Sequence, residues 1–175
     1  TDAWATQQTL DIMGIRYGAA FCVNAHAVKW RKCVTINGVI VGFWPAGHVL
    51  GSAQILVEYN DTRIVASGDY KRGNDPSCDP FEPVPCDIFI TEATFALPVF
   101  RHPDPKHEIA KLVRSVELSS DRAHLVGVYA LGKAQRVIKL LRDNGYDDTI
   151  YVHGTLVALC DYYQSQGIDL GSLSA

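Results

Sequence analysis

Pro45-Ala46-Gly47-His48-Val49-Leu50-Gly51-Ser52-Ala53 and, 21 residues after His48, Ser67-Gly68-Asp69 decide how this chain is read. Each segment follows a short apolar run, Val39 to Trp44 before the first and Ile64 to Ala66 before the second, so His48 and Asp69 stand at two strand ends. A neutral imidazole and a carboxylate are the borderline nitrogen and hard oxygen donors that a catalytic zinc site combines. Glycines on both sides of His48 let a tight backbone swing the ring into a shared pocket without a Cβ clash, and Gly68 beside Asp69 permits close approach to an ion. Read in isolation, His48 is a loop histidine bonded to backbone and Asp69 a turn or helix-cap carboxylate. Spacing alone leaves both readings open.

Working outward, Thr6 can cap a helix whose apolar face is Leu10, Ile12, Met13 and Tyr17 and which Gly18 ends. From Cys33 to Tyr59 the pattern changes to short β-branched runs with hairpin signals. Asn37-Gly38 separates Val34-Thr35-Ile36 from Val39-Ile40-Val41, and Asn60-Asp61 separates Ile55-Leu56-Val57 from Arg63-Ile64-Val65. These predict an antiparallel meander with one half-exposed face. The Pro-, Asp- and Cys-rich stretch from Asn74 to Pro85 cannot hold a regular ladder and reads as a surface loop. Asp87 to Thr91 reads as a buried strand, and a proline-rich break near Leu97 as a domain boundary. Beyond it helix and strand alternate. Ile109, Leu112, Val113 and Val116 share a helical face, Ala123 to Val128 reads as a strand, and Ala134, Val137, Ile138 and Leu141 face inward from a helix stopped by Asn144-Gly145. A strand at Ile150-Tyr151-Val152 and a helix from Leu156 to Gln166 follow, an alternation that predicts a parallel α/β layer.

The chain has 175 residues, of which 47% are apolar, enough for one ordinary domain or two partial ones. Its net charge of −3 excludes a generally basic nucleic-acid glove, so any phosphate contact must be local. Cysteines 22, 33, 78, 86 and 160 form no CxxC pair and are odd in number, which suggests neither a disulfide framework nor a zinc ribbon. With no apolar run of membrane-spanning length and no signal-like start, the expectation is a cytoplasmic protein without membrane contact.

The words PAGHVLGSAQ, SGDYKR and TEATF (Thr91 to Phe95), with Gln7 to Met13, Tyr129 to Gln135 and Leu159 to Tyr163, resemble consecutive motifs of the metallo-β-lactamase superfamily. The likeness is to its β-CASP nucleic-acid-processing branch, and within it to the ligase-associated DNA exonucleases. It implies an α/β fold in which residues 1–96 are part of an αββα sandwich and residues 97–175 begin a β-CASP cap. The family's His-x-His-x-Asp-His loop is expected upstream of Thr1 and its later histidine motifs beyond Ala175, which makes the chain a central segment of a longer enzyme. By the same resemblance two zinc ions are the cofactor, His48 completes the coordination of one, and Asp69 bridges both. Glu92, ending an apolar strand where an ionised group is costly unless paired, would orient a histidine that protonates the leaving oxygen. The implied activity is hydrolysis of DNA ends in repair, with a DNA ligase as associate. An RNA-processing relative using the same chemistry is the alternative, and a non-catalytic binding or scaffold module is the rival of a different class.

Further candidates concern the substrate. Gly132-Lys133 opens a helix after a strand, either a phosphate site or an ordinary solvated first turn. Lys133, Arg136 and Lys139 share one side of that helix, and Lys71-Arg72 lie beside the metal loop in the implied fold, so Lys71, Arg72, Lys133 and Arg136 are the expected backbone contacts. Lys29-Trp30-Arg31-Lys32 could stack a base or form a solvated turn. His153 reads as a strand-to-helix turn with a structural or substrate-facing role, and His107-Glu108 fails the HExxH pattern because Lys111 stands where the second histidine belongs.

Overall fold

A computed structural model describes residues 1–175. The chain divides into two compact units, Thr1–Ala93 and Thr94–Ala175. The expected mixed α/β composition is observed, with four helices and a five-stranded sheet as the largest sheet.

In the first unit, β1 (Asp2–Ala5), α1 (Gln7–Tyr17) and β2 (Asn24–Ala27) form a βαβ unit, with β1 and β2 parallel. Thr6 caps α1 by accepting from the Thr9 N–H at 3.2 Å, and Gly18 ends it at a φ of 84°. The sheet follows in the order β3 (Cys33–Ile36), β4 (Val39–Pro45), β5 (Ala53–Tyr59), β6 (Thr62–Ala66) and β7 (Ile88–Ile90). Both two-residue hairpins are where the sequence puts them. Asn37 and Gly38 have φ of 51° and 81°, and Asn60 and Asp61 have φ of 47° and 60°, the paired left-handed values that match the twist of the flanking strands. Phe43, Leu56 and Val65 form the buried centre of the sheet, with Leu56 opposite Val65 in register.

The run from Asp87 to Thr91 departs from its reading as a buried strand. β7 forms, an edge strand parallel to β6, yet Ile88, Phe89 and Ile90 are all exposed, because no other element packs over its faces. Apolar sequence specified a strand here; it did not specify what lies on its faces.

The second unit packs α2 (Pro105–Leu118) against α3 (Lys133–Asp143), with Ile109, Leu140 and Leu141 at the centre and Leu112, Val113, Val137, Tyr146 and Ile150 around them. Two short parallel strands, β8 (Ile150–Tyr151) and β9 (Leu173–Ser174), flank α4 (Gly154–Ser165). The expected strand from Ala123 to Val128 does not form. Leu125 is 96% exposed and no strand pairs with this run, so its β-prone residues have no ladder to join. The parallel layer is thereby reduced to β8 and β9. No helix is long and apolar enough to cross a membrane.

Candidate metal centre

The loop after β4 is held from three directions. Gly47 has φ of 71°, and a Cβ there would stand 2.4 Å from the Lys71 carbonyl oxygen and 2.9 Å from the Phe81 nitrogen. Backbone therefore passes where any other residue would put a side chain. Lys71 N–H donates to Ala46 O at 2.9 Å, tying the strand end to the chain that leaves Asp69. Within the loop, Ser52 Oγ accepts from the N–H groups of His48 and Val49 at 3.2 and 3.1 Å. Below it, Gly51 (φ 79°) comes so close to α1 that a Cβ would lie 2.6 Å from Gln8 Cβ, and the Thr6 and Thr9 hydroxyls each donate to Gly51 O at 2.8 Å. The helix N-terminus thus braces the histidine loop.

Asp69 leaves β6 through a buried Ser67, whose N–H donates to Ile90 O at 2.9 Å, and a left-handed Gly68 with φ of 56°. The two loops bring His48 Nε2 to 3.8 Å from Asp69 Oδ2, with both side chains open to solvent. That separation is too long for a hydrogen bond. Two ligands each about 2.0–2.2 Å from one tetrahedral ion would be separated by about 3.3–3.6 Å. Nitrogen and carboxylate donors at this spacing fit two positions of a zinc shell after a small side-chain adjustment. No group of three His, Cys, Asp or Glu side chains is assembled, so Glu92 is not a third donor to the pair. It stands two residues beyond β7, half-buried.

The candidate substrate contacts diverge in role. Lys71 Nζ pairs at 3.0 Å with Asp75, a buried carboxylate whose other oxygen takes the Ser77 N–H at 3.0 Å and hydroxyl at 2.6 Å. Lys71 thereby closes its own loop, whereas Arg72 is exposed. Arg31 is engaged as well: it makes a two-pronged ion pair with Glu82, whose hydrogen bonds raise the guanidinium pKa above its ordinary value.

In the second unit, Lys133 is exposed and Arg136 half-buried on the first turn of α3. The phosphate site read into this helix start is not open as such. Gly132 N–H donates to Gln135 Oε1 at 2.8 Å, Lys133 N–H to Leu131 O at 3.0 Å and Ala134 N–H to Tyr129 O at 3.1 Å. Gln135 is a residue that sequence reasoning missed, although a Gln three residues after a helix cap is the signal of a side chain that folds back on the cap. It is fully buried and its amide also donates to Ala130 O at 3.0 Å and reaches Cys160 Sγ at 3.6 Å. Cys160 is buried in the core, and burial pushes its thiol pKa up, opposed by the Gln135 bond. His153 caps α4, its Nδ1 accepting from Thr155 N–H at 3.2 Å.

No family model matches the chain. Its backbone superposes on a protein of unknown function from Enterococcus faecalis V583 with a TM-score of 0.57 at 11% identity, over 90% of this chain and 42% of that one, a likeness of fold alone. Among curated proteins it is 35% identical over 122 residues to Endoribonuclease ysh1 of Emericella nidulans, a match covering 66% of this chain and 14% of that protein. The corresponding protein of Aspergillus fumigatus is 32% identical over 141 residues, 78% of this chain and 15% of its own length. Cleavage and polyadenylation specificity factor subunit 3 of Dictyostelium discoideum is 34% identical over 119 residues, 65% and 15% respectively. The chain is therefore homologous to metallo-β-lactamase nucleases of the β-CASP branch, over a segment that spans about one seventh of the length of these relatives.

Proposed function

We propose that the chain forms part of a metal-dependent phosphodiesterase that cleaves RNA, its first unit belonging to the metallo-β-lactamase sandwich and its second to the β-CASP cap. The observation that carries this reading is the 3.8 Å approach of His48 Nε2 and Asp69 Oδ2 from two braced loops. The similarity to endoribonucleases supports RNA over DNA ends and internal cleavage over exonuclease action. It gives no support to the expected DNA ligase partner.

His48 and Asp69 would hold zinc, one through its ring nitrogen and the other through a carboxylate whose two oxygens can serve two ions. Bound zinc supplies a Lewis acid and, near neutral pH, a hydroxide nucleophile. The chain's own residues do the positioning. Ser52 fixes the backbone of His48, Gly68 turns Asp69 toward it, and Arg72 offers a cation to the phosphodiester. Glu92 orients the group that returns a proton to the leaving oxygen.

In the longer protein that contains this segment, Asp69→Asn is expected to abolish cleavage of single-stranded RNA and lower bound zinc, since a neutral amide cannot bridge two cations. Wild-type turnover by Asp69→Asn would overturn the metal role, and preferential cleavage of DNA would overturn the substrate. Glu92→Gln should instead keep its zinc and lose about 10²- to 10⁴-fold in rate. That loss should shrink on a nitrophenyl phosphodiester, whose leaving group needs no proton. Equal losses on both substrates would make Glu92 a structural anchor.

A further inference from the structure

The second unit opens with apolar and aromatic residues that its core does not use. Phe95 is 59% and Phe100 46% exposed, and Leu97 and Val99 beside them are more open still, so the cluster is not a fragment of core. The rings are nonetheless ordered against one another. Phe95 meets Phe100 edge-to-face at 5.4 Å and 80°, and meets His102 at 5.2 Å and 87°. An edge-to-face contact covers at most one ring face, and the exposure of Phe95 and Phe100 leaves ring surface open to solvent. Two cations and one carboxylate lie next to the rings in sequence. Arg101 and Lys106 are exposed cations, while the neighbouring carboxylate, Asp104, is engaged in capping α2 through the Lys106 N–H at 2.9 Å.

We propose that Phe95, Phe100 and His102, with Arg101 beside them, form a stacking platform for the unpaired bases of a single-stranded RNA. Open ring faces take bases, since every base has a π-face, and a guanidinium one residue from Phe100 meets the phosphate between them. A protein partner would favour the apolar area, but it gives no use to ordered perpendicular rings flanked by exposed cations. The platform rests on the RNA reading above and gives that reading a binding site outside the metal centre.

The test is fluorescence anisotropy of the 175-residue chain with a labelled RNA of about 12 nucleotides, a length within the usual range of single-strand sites, the same sequence as DNA, and the RNA duplex. Phe95→Leu and Phe100→Leu keep the apolar bulk and remove the ring, and each is expected to weaken single-strand binding by about 5- to 150-fold. Phe100→Tyr should retain it, and the duplex should bind more weakly than the strand. Undiminished binding by both Leu variants, or equal affinity for duplex and strand, would overturn the platform. Photocrosslinking of a thiouridine-substituted RNA to the unaltered chain needs no variant; crosslinks on residues 95–102 support the platform, and crosslinks elsewhere alone overturn it. The same ring dependence with a preference for DNA would leave the platform standing and overturn the RNA reading.

Discussion

A methyl group at position 47 would lie 2.4 Å from the Lys71 carbonyl oxygen, at a φ of 71° that side chains rarely adopt. Neither strain can relax without moving the chain that carries Asp69, because Lys71 N–H is bonded to Ala46 O. Gly47→Ala is therefore expected to destabilise the fold by about 1–3 kcal/mol and to weaken zinc binding in the longer protein. A denaturant melt and a zinc titration check the two effects. Gly68 differs from it: the nearest atom to an added Cβ is 3.9 Å away, so only its φ of 56° opposes substitution. Two glycines that look equivalent in the sequence thus protect the site for different reasons.

At the scale of elements, Arg142 near the end of α3 does what no single strand or helix could do alone. Its guanidinium donates to four backbone carbonyls, those of Leu170 (2.9 Å), Tyr146 (2.6 Å), Asp148 (2.7 Å) and Ser172 (2.8 Å). These bonds join the helix end to the segments that lead into β8 and β9, two strands too short to hold themselves together. A lysine has one point of charge where the arginine has a planar fork of five donors. Arg142→Lys should cost about 2–4 kcal/mol of stability and speed hydrogen exchange at Ile150 and Val152, whose N–H groups bond to Ser172 O and Ser174 O. Unchanged exchange there would show that the strands do not depend on the arginine.

For the whole molecule, a net charge of −3 limits how strongly it can hold a polyanion. Arg101 is the exposed cation assigned to phosphate beside the rings. One such contact to a single strand predicts that log K falls with log salt at a slope of about −0.7, whereas a slope of about −7 would require a basic surface this chain does not have. The weak salt dependence would leave stacking as the larger share of affinity, so ring variants should matter more than Arg101→Ala.

Much of this was legible in the chain itself because it was local. The cap at Thr6, the stop at Gly18 and the turns at Asn37-Gly38 and Asn60-Asp61 depend on φ preferences and hydrogen bonds within a few residues, and the family motifs are words of contiguous sequence. His48 and Asp69 could be paired as ligands by resemblance, but their 3.8 Å approach was decided by tertiary structure, through Gly47 against Lys71 and Gly51 against α1. Burial was decided there too. Ile88, Phe89 and Ile90 have the composition of a buried strand and are exposed because no element packs over their faces, while Ala123 to Val128 has the composition of a strand and lacks a neighbour to pair with. A strand's ladder, its faces and the commitments of a lysine such as Lys71 belong to residues distant in sequence, and periodicity carries no record of them.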